Sequence, residues 1–264
     1  MIVSDEQKEV IRNVLKSISN EQYVSIGGRA GTGKSTIIKI LRYKLKNFAL
    51  GAYTGKAANV LRQKGNYDAK TIHNLIYYPA KTENDETIWL KTPPEEIPYD
   101  GFIIDEASMV SREIHEDLLS YNKPIIYIGD HGQLEPVGSS FNLMRSPDHR
   151  LETIHRNAGE IAHFAEHLRR GENPRKFKSE KKVKIISKRM LKDEDLPKAE
   201  QVICAFNKTR SNTNRKIRNI LGLDNELISI NEKIICLKNN RKLQLYNGMQ
   251  GIIDRKSTRL NSSH

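Results

Sequence analysis

The stretch that decides the fold is Ile26-Gly27-Gly28-Arg29-Ala30-Gly31-Thr32-Gly33-Lys34-Ser35-Thr36. It fits the pattern G-x-x-x-x-G-K-[ST], in which backbone N–H groups of a glycine-rich turn surround a phosphate chain. The apolar run 23–26 predicts a buried strand before it, and the run 37–41 predicts a helix after it. This order is the context that the pattern requires, so the stretch predicts a nucleoside triphosphate site in an α/β domain. A glycine-rich turn without a ligand is the alternative, which the agreement of motif and context disfavours.

Each position of this loop has an expected role. Lys34 would reach the β- and γ-phosphates, and the Ser35 hydroxyl would bind Mg²⁺. The helix N-terminus adds a partial positive charge at the same place. The residues expected to hold the nucleotide are Gly28, Gly31, Thr32, Gly33, Lys34, Ser35 and Thr36.

Two carboxylates, Asp105 and Glu106, follow the apolar run 101–104. The carboxyl end of a strand in an open α/β sheet is where ligands bind. Beside a phosphate loop, Asp105 would hold Mg²⁺ and Glu106 would polarise the attacking water. A charged loop or a helix cap is the alternative. With a further apolar run at 125–128, these strands and the helices between them predict a parallel sheet with one active edge.

The overall composition limits the partners. The chain has 264 residues, about two domains by length. Its net charge of +12 favours a polyanionic partner, nucleic acid before membrane, although a solvated basic surface would also account for it. Cys204 and Cys236 lie in apolar runs and are expected to be buried free thiols, which suits a reducing cytosol. No apolar run is long enough to cross a bilayer, and no signal-peptide pattern opens the chain.

Further segments predict the remaining architecture. The proline-flanked segment 78–99 predicts a small inserted hairpin, with Trp89 as its large anchor. A second region begins near Leu151. It predicts a helix over 160–170, a strand over 201–206, a helix over 207–221 and two or three short strands within 231–254.

Five more motifs, in order along the chain, resemble those of superfamily 1 DNA helicases of the RecD-like/Dda-like branch. Several motifs in the right order are more specific than any one of them. They are Thr54-Gly55-Lys56-Ala57-Ala58, Thr71-Ile72-His73, Asp105-Glu106-Ala107-Ser108-Met109, Gly129-Asp130-His131-Gly132-Gln133-Leu134 and Ile154-His155-Arg156.

The resemblance implies two RecA-like lobes with ATP bound between them. Residues 1–150 would form lobe 1A, with 78–99 as a pin-like 1B insertion. Residues 151–222 would form part of lobe 2A, and residues 223–254 the start of an SH3-like 2B insertion.

The same resemblance implies roles for residues outside the phosphate loop. Gln7 would recognise the adenine, Gln133 would sense the γ-phosphate, and Arg156 would reach it from the second lobe. The implied activity is ATP-dependent unwinding of DNA, or translocation 5′ to 3′ on single-stranded DNA, by a monomer in the cytoplasm of a bacterial or phage-infected cell. The residues implied to contact the DNA are Thr54, Lys56, Thr71 and His73.

The chain departs from the family pattern in two places. Tyr53 stands where the family usually has proline, which would alter stacking on DNA. The family's last motifs, one with another arginine, are not found, and residues 255–264 resemble a translated sequencing adapter. We therefore expect a gene fragment truncated near Asp254 that binds nucleotide, hydrolyses it poorly and unwinds little.

Two other functions remain open from the residues alone. A P-loop phosphotransferase of a small molecule would explain Lys34, Ser35 and Asp105, but not Gln133 or the Thr54 and Thr71 motifs. A nucleic-acid-binding module without motor activity would explain the charge but not the phosphate loop. Repair, recombination and phage replication all fit the helicase reading, and a preference for DNA over RNA is not encoded in these motifs.

Overall fold

A computed structural model of the chain describes residues 3–133, 141–153, 159–223, 228–237 and 248–254, together with Asn240, Leu243 and Leu245. The chain folds as two units, Met1–His163 and Phe164–His264. The boundary expected at 150/151 would cut through a strand, His149–Leu151, that pairs with the strand Tyr23–Gly28 in the first unit.

In the described part of the first unit, six strands form a parallel sheet, in the order β3-β2-β6-β7-β1-β8. This confirms the predicted α/β fold with a parallel sheet. Two further strands, β4 and β5, pair with each other as a separate hairpin. The strands are β1 Tyr23–Gly28, β2 Phe48–Ala52, β3 Lys70–Thr71, β4 Tyr77–Lys81, β5 Thr87–Lys91, β6 Gly101–Asp105, β7 Ile125–Gly129 and β8 His149–Leu151.

Helices cover both faces of this sheet. They are α1 Asp5–Ser17, α2 Lys34–Lys44, α3 Gly55–Gln63, α4 Ile72–Ile76 and α5 Arg112–Leu119, with short 3-10 turns at Pro94–Glu96 and Ala107–Met109. One apolar cluster joins α1, α2 and α3 to the sheet, and a second joins α4 and α5 to its other face. Successive side chains of β6 point to opposite faces of the sheet, so Ile103 packs in the first cluster, whereas Phe102 and Ile104 pack in the second. Strands buried on both faces read as continuous apolar runs, which is how the sequence presents them.

The strand register sets the position of the site. Gly27 pairs with Gly129, and Ala52 pairs with Asp105, so β1, β2, β6 and β7 end at nearly the same level. Because all four strands are parallel, the polar turns that follow them share one edge of the sheet. The predicted phosphate loop and carboxylate pair are thereby brought together by backbone pairing.

The insertion between α4 and β6 is a hairpin, as predicted. Tyr77 pairs with Lys91 and Lys81 with Thr87 in antiparallel register. Trp89 does not anchor it in a core, because its side chain is 45% exposed. Successive side chains of a strand point to opposite faces of the hairpin. All five residues of β5 are exposed, so neither face of this strand is buried.

The second unit is described by itself. Its helices are α6 Glu160–Arg169, which begins just before the boundary, and α7 Asn207–Ile220, both as predicted. Short antiparallel strands, β9 Lys233–Ile235 and β10 Gln250–Ile252, confirm the strands expected within 231–254. The assignment of these strands to an SH3-like insertion, and of the unit to a RecA-like lobe, stays a prediction.

The prediction of a strand over 201–206 is wrong, because this segment is irregular. A strand needs a neighbour for its backbone groups, and no strand pairs with it among the described residues of the second unit. Neither cysteine forms a disulfide, as expected, but both are partly exposed rather than buried. None of the helices in the described ranges has the length and apolar character needed to cross a membrane.

One histidine in the core of the first unit predicts how stability depends on pH. The His115 ring is 8% exposed, and its Nδ1 lies 2.8 Å from the Tyr127 hydroxyl. Burial lowers the pKa of His115, an effect that the Glu116 carboxylate opposes and the Arg112 guanidinium reinforces. Between its lowered folded pKa and its ordinary unfolded pKa, the unfolded chain binds more protons, so acid destabilises the fold.

We therefore expect the free energy of unfolding to fall as the pH drops from about 7.5 to about 5.5, through the ordinary pKa of histidine. Urea denaturation at several pH values measures this. In His115→Gln, which cannot titrate, the slope with pH should be shallower. Equal slopes for the two proteins would show that His115 does not contribute.

Candidate active site

The phosphate loop connects the end of β1 to the start of α2. Gly31 and Gly33 have φ angles of 90° and 89°, which favour glycine. Gly33 caps α2 without a side-chain hydrogen bond. The N-terminal N–H groups of α2 and its partial positive charge are therefore directed at the loop, as an anion site requires.

The Lys34 ammonium lies inside this loop. It donates hydrogen bonds to the carbonyl oxygens of Gly28 at 2.5 Å and Arg29 at 3.1 Å. Thr32 is fully buried, and its hydroxyl donates to the same Arg29 carbonyl at 2.9 Å. These bonds hold the loop closed around the position that a phosphate would take.

An open cavity of about 690 Å³ lies at this edge of the sheet, within the usual size range for ligand pockets. Its lining brings together the phosphate loop, the carboxylate pair and part of α3. The predicted site residues that line it are Gly31, Gly33, Lys34, Ser35, Thr36, Thr54, Lys56, Asp105 and Glu106. Gly28 and Thr32 form the base of the loop and are not part of the lining.

The carboxylates sit where β6 ends. Burial and the neighbouring Glu106 carboxylate raise the pKa of Asp105 to about 6, while Lys34 and Lys64 oppose the shift. Glu106 has φ 55°, the left-handed region that residues other than glycine rarely adopt. This backbone turn presents Glu106 to the cavity beside Asp105. The donor set of a serine hydroxyl and a carboxylate suits Mg²⁺, so these residues fit the expected metal.

Gln133 belongs to the turn that follows β7. Its side-chain oxygen accepts a hydrogen bond from the Ser108 hydroxyl at 3.2 Å, and Ser108 is 2% exposed. The turn itself is closed by Asp130, whose carboxylate accepts from the Gly132 N–H at 2.8 Å. Ser108 thus links the turn after β6 to the turn after β7. The motif alone did not reveal this link.

Gln7 is joined to the phosphate loop. Its side-chain nitrogen donates to the Thr32 carbonyl at 3.1 Å, and its oxygen accepts from the Ser4 N–H, completing the capping box of α1. At 3% exposure the amide is buried. Both the capping role and proximity to the nucleotide loop are therefore realised, and recognition of adenine stays a prediction.

The four residues implied to contact DNA fall in two places. Thr54 and Lys56 line the nucleotide cavity. Thr71 and His73 lie at the start of α4. Thr54 and Thr71 both cap helices, since their hydroxyls accept from the N–H groups of Ala57 and Asn74. His73 packs against the Tyr77 ring with centroids 5.4 Å apart, and burial lowers its pKa. Contact of these residues with DNA stays a prediction.

Two residues outside the predicted motifs make long-range contacts, one in the cavity and one beside β8. Lys64, at the end of α3, donates to the Ser35 hydroxyl at 3.0 Å. Glu6 accepts hydrogen bonds from backbone N–H groups just after β8. Both contacts join residues far apart in sequence, so no local pattern could have indicated them. Arg156 lies outside the described residues.

In the sequence of α6, His163, Glu166 and His167 fit the zinc-protease pattern H-x-x-E-H, but the surface face of an amphipathic helix explains them better. His167 contacts Glu172 at 2.8 Å, and Glu166 contacts Arg170 at 3.2 Å. No group of three or more histidine, cysteine or acidic side chains could hold a metal ion in the described part of the chain.

Comparison with known proteins identifies the family. Residues 2–188 match the AAA_30 family, an AAA domain, and the chain belongs to that family. It is 32% identical over 145 residues to the ATP-dependent DNA helicase dda of Enterobacteria phage T4, covering 51% of this chain and 33% of that protein. It is 36% identical over 159 residues to the RecBCD enzyme subunit RecD of Buchnera aphidicola from Schizaphis graminum, covering 48% and 25%. These matches confirm the resemblance to superfamily 1 helicases.

A solved structure shows the same fold. The Pif1 helicase from Bacteroides, crystallised with ADP-AlF3 and single-stranded DNA, superposes with a TM-score of 0.58 at 20% identity. The match covers 97% of this chain and 71% of that one. The chain spans only a third or less of the length of the phage T4 and Buchnera proteins to which it is similar.

The crowding around Gly28 predicts a sensitive position. A Cβ added there would lie 2.6 Å from the Thr32 hydroxyl oxygen and 3.2 Å from the Leu151 side chain. Since Thr32 is buried and hydrogen-bonded, it cannot move without opening the loop. Gly28→Ala should weaken nucleotide affinity by about tenfold or more, the effect of ~1–3 kcal/mol of strain.

Titration with a fluorescent ADP analogue measures this affinity. Gly159→Ala is the matched control, because a Cβ there meets nothing within 4 Å. Equal affinities of Gly28→Ala and the control would mean that the loop does not hold phosphate.

Proposed function

We propose that this member of the AAA_30 family binds ATP with Mg²⁺ at the carboxyl edge of its first unit and couples hydrolysis to movement along single-stranded DNA. The observation that supports this most is one cavity lined by Lys34, Ser35, Asp105 and Glu106. Two separate motifs supply these four residues, which are the donor, the two metal ligands and the carboxylate that hydrolysis of a phosphoanhydride needs.

The chain's own residues would act as follows. Lys34 would exchange the carbonyls of Gly28 and Arg29 for phosphate oxygens. Ser35 and Asp105 would hold Mg²⁺, which when bound neutralises charge on the phosphates. Glu106 would accept a hydrogen bond from the attacking water and polarise it. Gln133, oriented by Ser108, would sense the γ-phosphate, and Arg156 would reach it from lobe 2A, to which the family resemblance assigns residues 151–222.

The partner is proposed from charge and relatives together. A net charge of +12 favours a polyanion, and the Bacteroides Pif1 helicase was crystallised with single-stranded DNA. We therefore assign Thr54, Lys56, Thr71 and His73 to contact single-stranded DNA, with translocation 5′ to 3′ by a monomer. Cys204 and Cys236 form no disulfide, which suits a reducing compartment, so we place this activity in the cytoplasm of a bacterial or phage-infected cell.

The test is ATP hydrolysis with and without single-stranded DNA. We expect DNA to stimulate phosphate release. Glu106→Gln should lower the rate by about 100-fold or more, as loss of a proton-accepting group does, while the affinity for nucleotide stays similar. Lys34→Ala should lose nucleotide binding itself.

The outcomes separate the competing functions. A small-molecule phosphotransferase would ignore single-stranded DNA. A binding module would retain its function in Lys34→Ala. The low absolute turnover and weak unwinding expected from the sequence stay predictions, and a fluorescent fork substrate measures the unwinding.

A further inference from the structure

The first turn of α1 contacts two distant parts of the first unit through neighbouring residues. Gln7 donates to the Thr32 carbonyl in the phosphate loop at 3.1 Å. The Glu6 carboxylate accepts from the N–H of Glu152 at 2.8 Å and from the N–H of Thr153 at 3.2 Å. One helical turn therefore bridges the nucleotide loop and the chain that leaves the sheet after β8.

These contacts are specific in geometry. Strand β8 pairs with β1 as far as Leu151, opposite Gly28. The N–H groups of the next two residues, Glu152 and Thr153, donate to the Glu6 carboxylate and not to a neighbouring strand. Hydrogen bonds to a carboxylate are about twice as strong as those between neutral groups. Gln7 cannot turn away, because its amide is buried and bonded at both ends.

We propose that Glu6 is a positioning residue that transmits occupancy of the phosphate loop to the segment beginning at Glu152. Phosphates bound in the loop restrict the Thr32 carbonyl, and through Gln7 they restrict the first turn of α1. Glu6 then holds the N–H groups of Glu152 and Thr153. The next three residues in the sequence, Ile154-His155-Arg156, include the arginine assigned to the γ-phosphate. Only the effect on hydrolysis rests on the proposed function.

Hydrogen exchange measured by mass spectrometry on peptides spanning 149–153 tests the transmission directly. With ADP, exchange at the amides of Glu152 and Thr153 should slow by about fivefold or more in the unsubstituted protein, the low end of coupling between sites. In Glu6→Ala these amides should exchange fast with or without ADP. The affinity for ADP should fall by about the same factor, because coupling between two sites is reciprocal, even though Glu6 does not line the cavity.

Asp5→Ala is the matched control. Asp5 is also a carboxylate in the first turn of α1, but it bonds Lys8 at the surface. It therefore reproduces any loss of helix stability from removing a charge at the N-terminus. In Asp5→Ala, exchange at Glu152 and Thr153 should follow that of the unsubstituted protein. In Glu6→Gln, which keeps one acceptor oxygen, the exchange rate should lie between those of the unsubstituted protein and Glu6→Ala.

In the hydrolysis assay, Glu6→Ala should lower kcat by about three- to thirtyfold, which corresponds to the coupling energies that mutations along a coupling path change. The proposal fails if ADP slows these amides equally in Glu6→Ala, if ADP does not slow them in the unsubstituted protein, or if Asp5→Ala loses the effect as well. An unsubstituted protein that shows the exchange effect but no DNA-stimulated hydrolysis would refute the proposed function and leave the transmission intact.

Discussion

The parallel register of β1, β2, β6 and β7 is the constraint on which the rest of the structure depends. Because Gly27 lies opposite Gly129 and Ala52 opposite Asp105, four turns from separate parts of the chain meet at one edge. A parallel register shifted by two residues would keep the same side chains in the core. It would, however, move the carboxylates by about two residues, some 6–7 Å, away from the phosphate loop. The site is therefore a consequence of backbone pairing before it is a consequence of any side chain.

The sequence predicts the parts of this arrangement that are local. The phosphate loop, the carboxylate pair and the buried strands are encoded in short patterns, and the structure puts them where the patterns indicate. Contacts that join distant segments could not be predicted this way. Lys64 reaches Ser35 across 29 residues, and Glu6 reaches Thr153 across 147. The prediction of a strand at 201–206 is wrong for a related reason, since a strand forms only where a neighbouring strand completes its hydrogen bonds.

Two threonines illustrate how a structural role is compatible with the proposed contact with DNA. Thr54 and Thr71 cap α3 and α4 with their hydroxyl oxygens. A hydroxyl that accepts one hydrogen bond can still donate another, so capping does not prevent a contact with a DNA phosphate. The cap instead fixes where the hydroxyl stands. Replacing either residue would therefore loosen a helix start and remove the donor at the same time, and serine is the substitution that keeps both.

The left-handed backbone at Glu106 has a consequence for how this protein could be improved. The backbone conformation of a residue other than glycine in that region costs about 1 kcal/mol or more of free energy. The folded state is therefore destabilised locally where β6 ends. Selection for heat resistance alone would favour glycine there, and the resulting protein would lack the carboxylate beside Asp105. Thermostability and the hydrolysis proposed for this site are thus opposed at this one position. A directed-evolution campaign on this chain would have to select for both at once to keep the carboxylate.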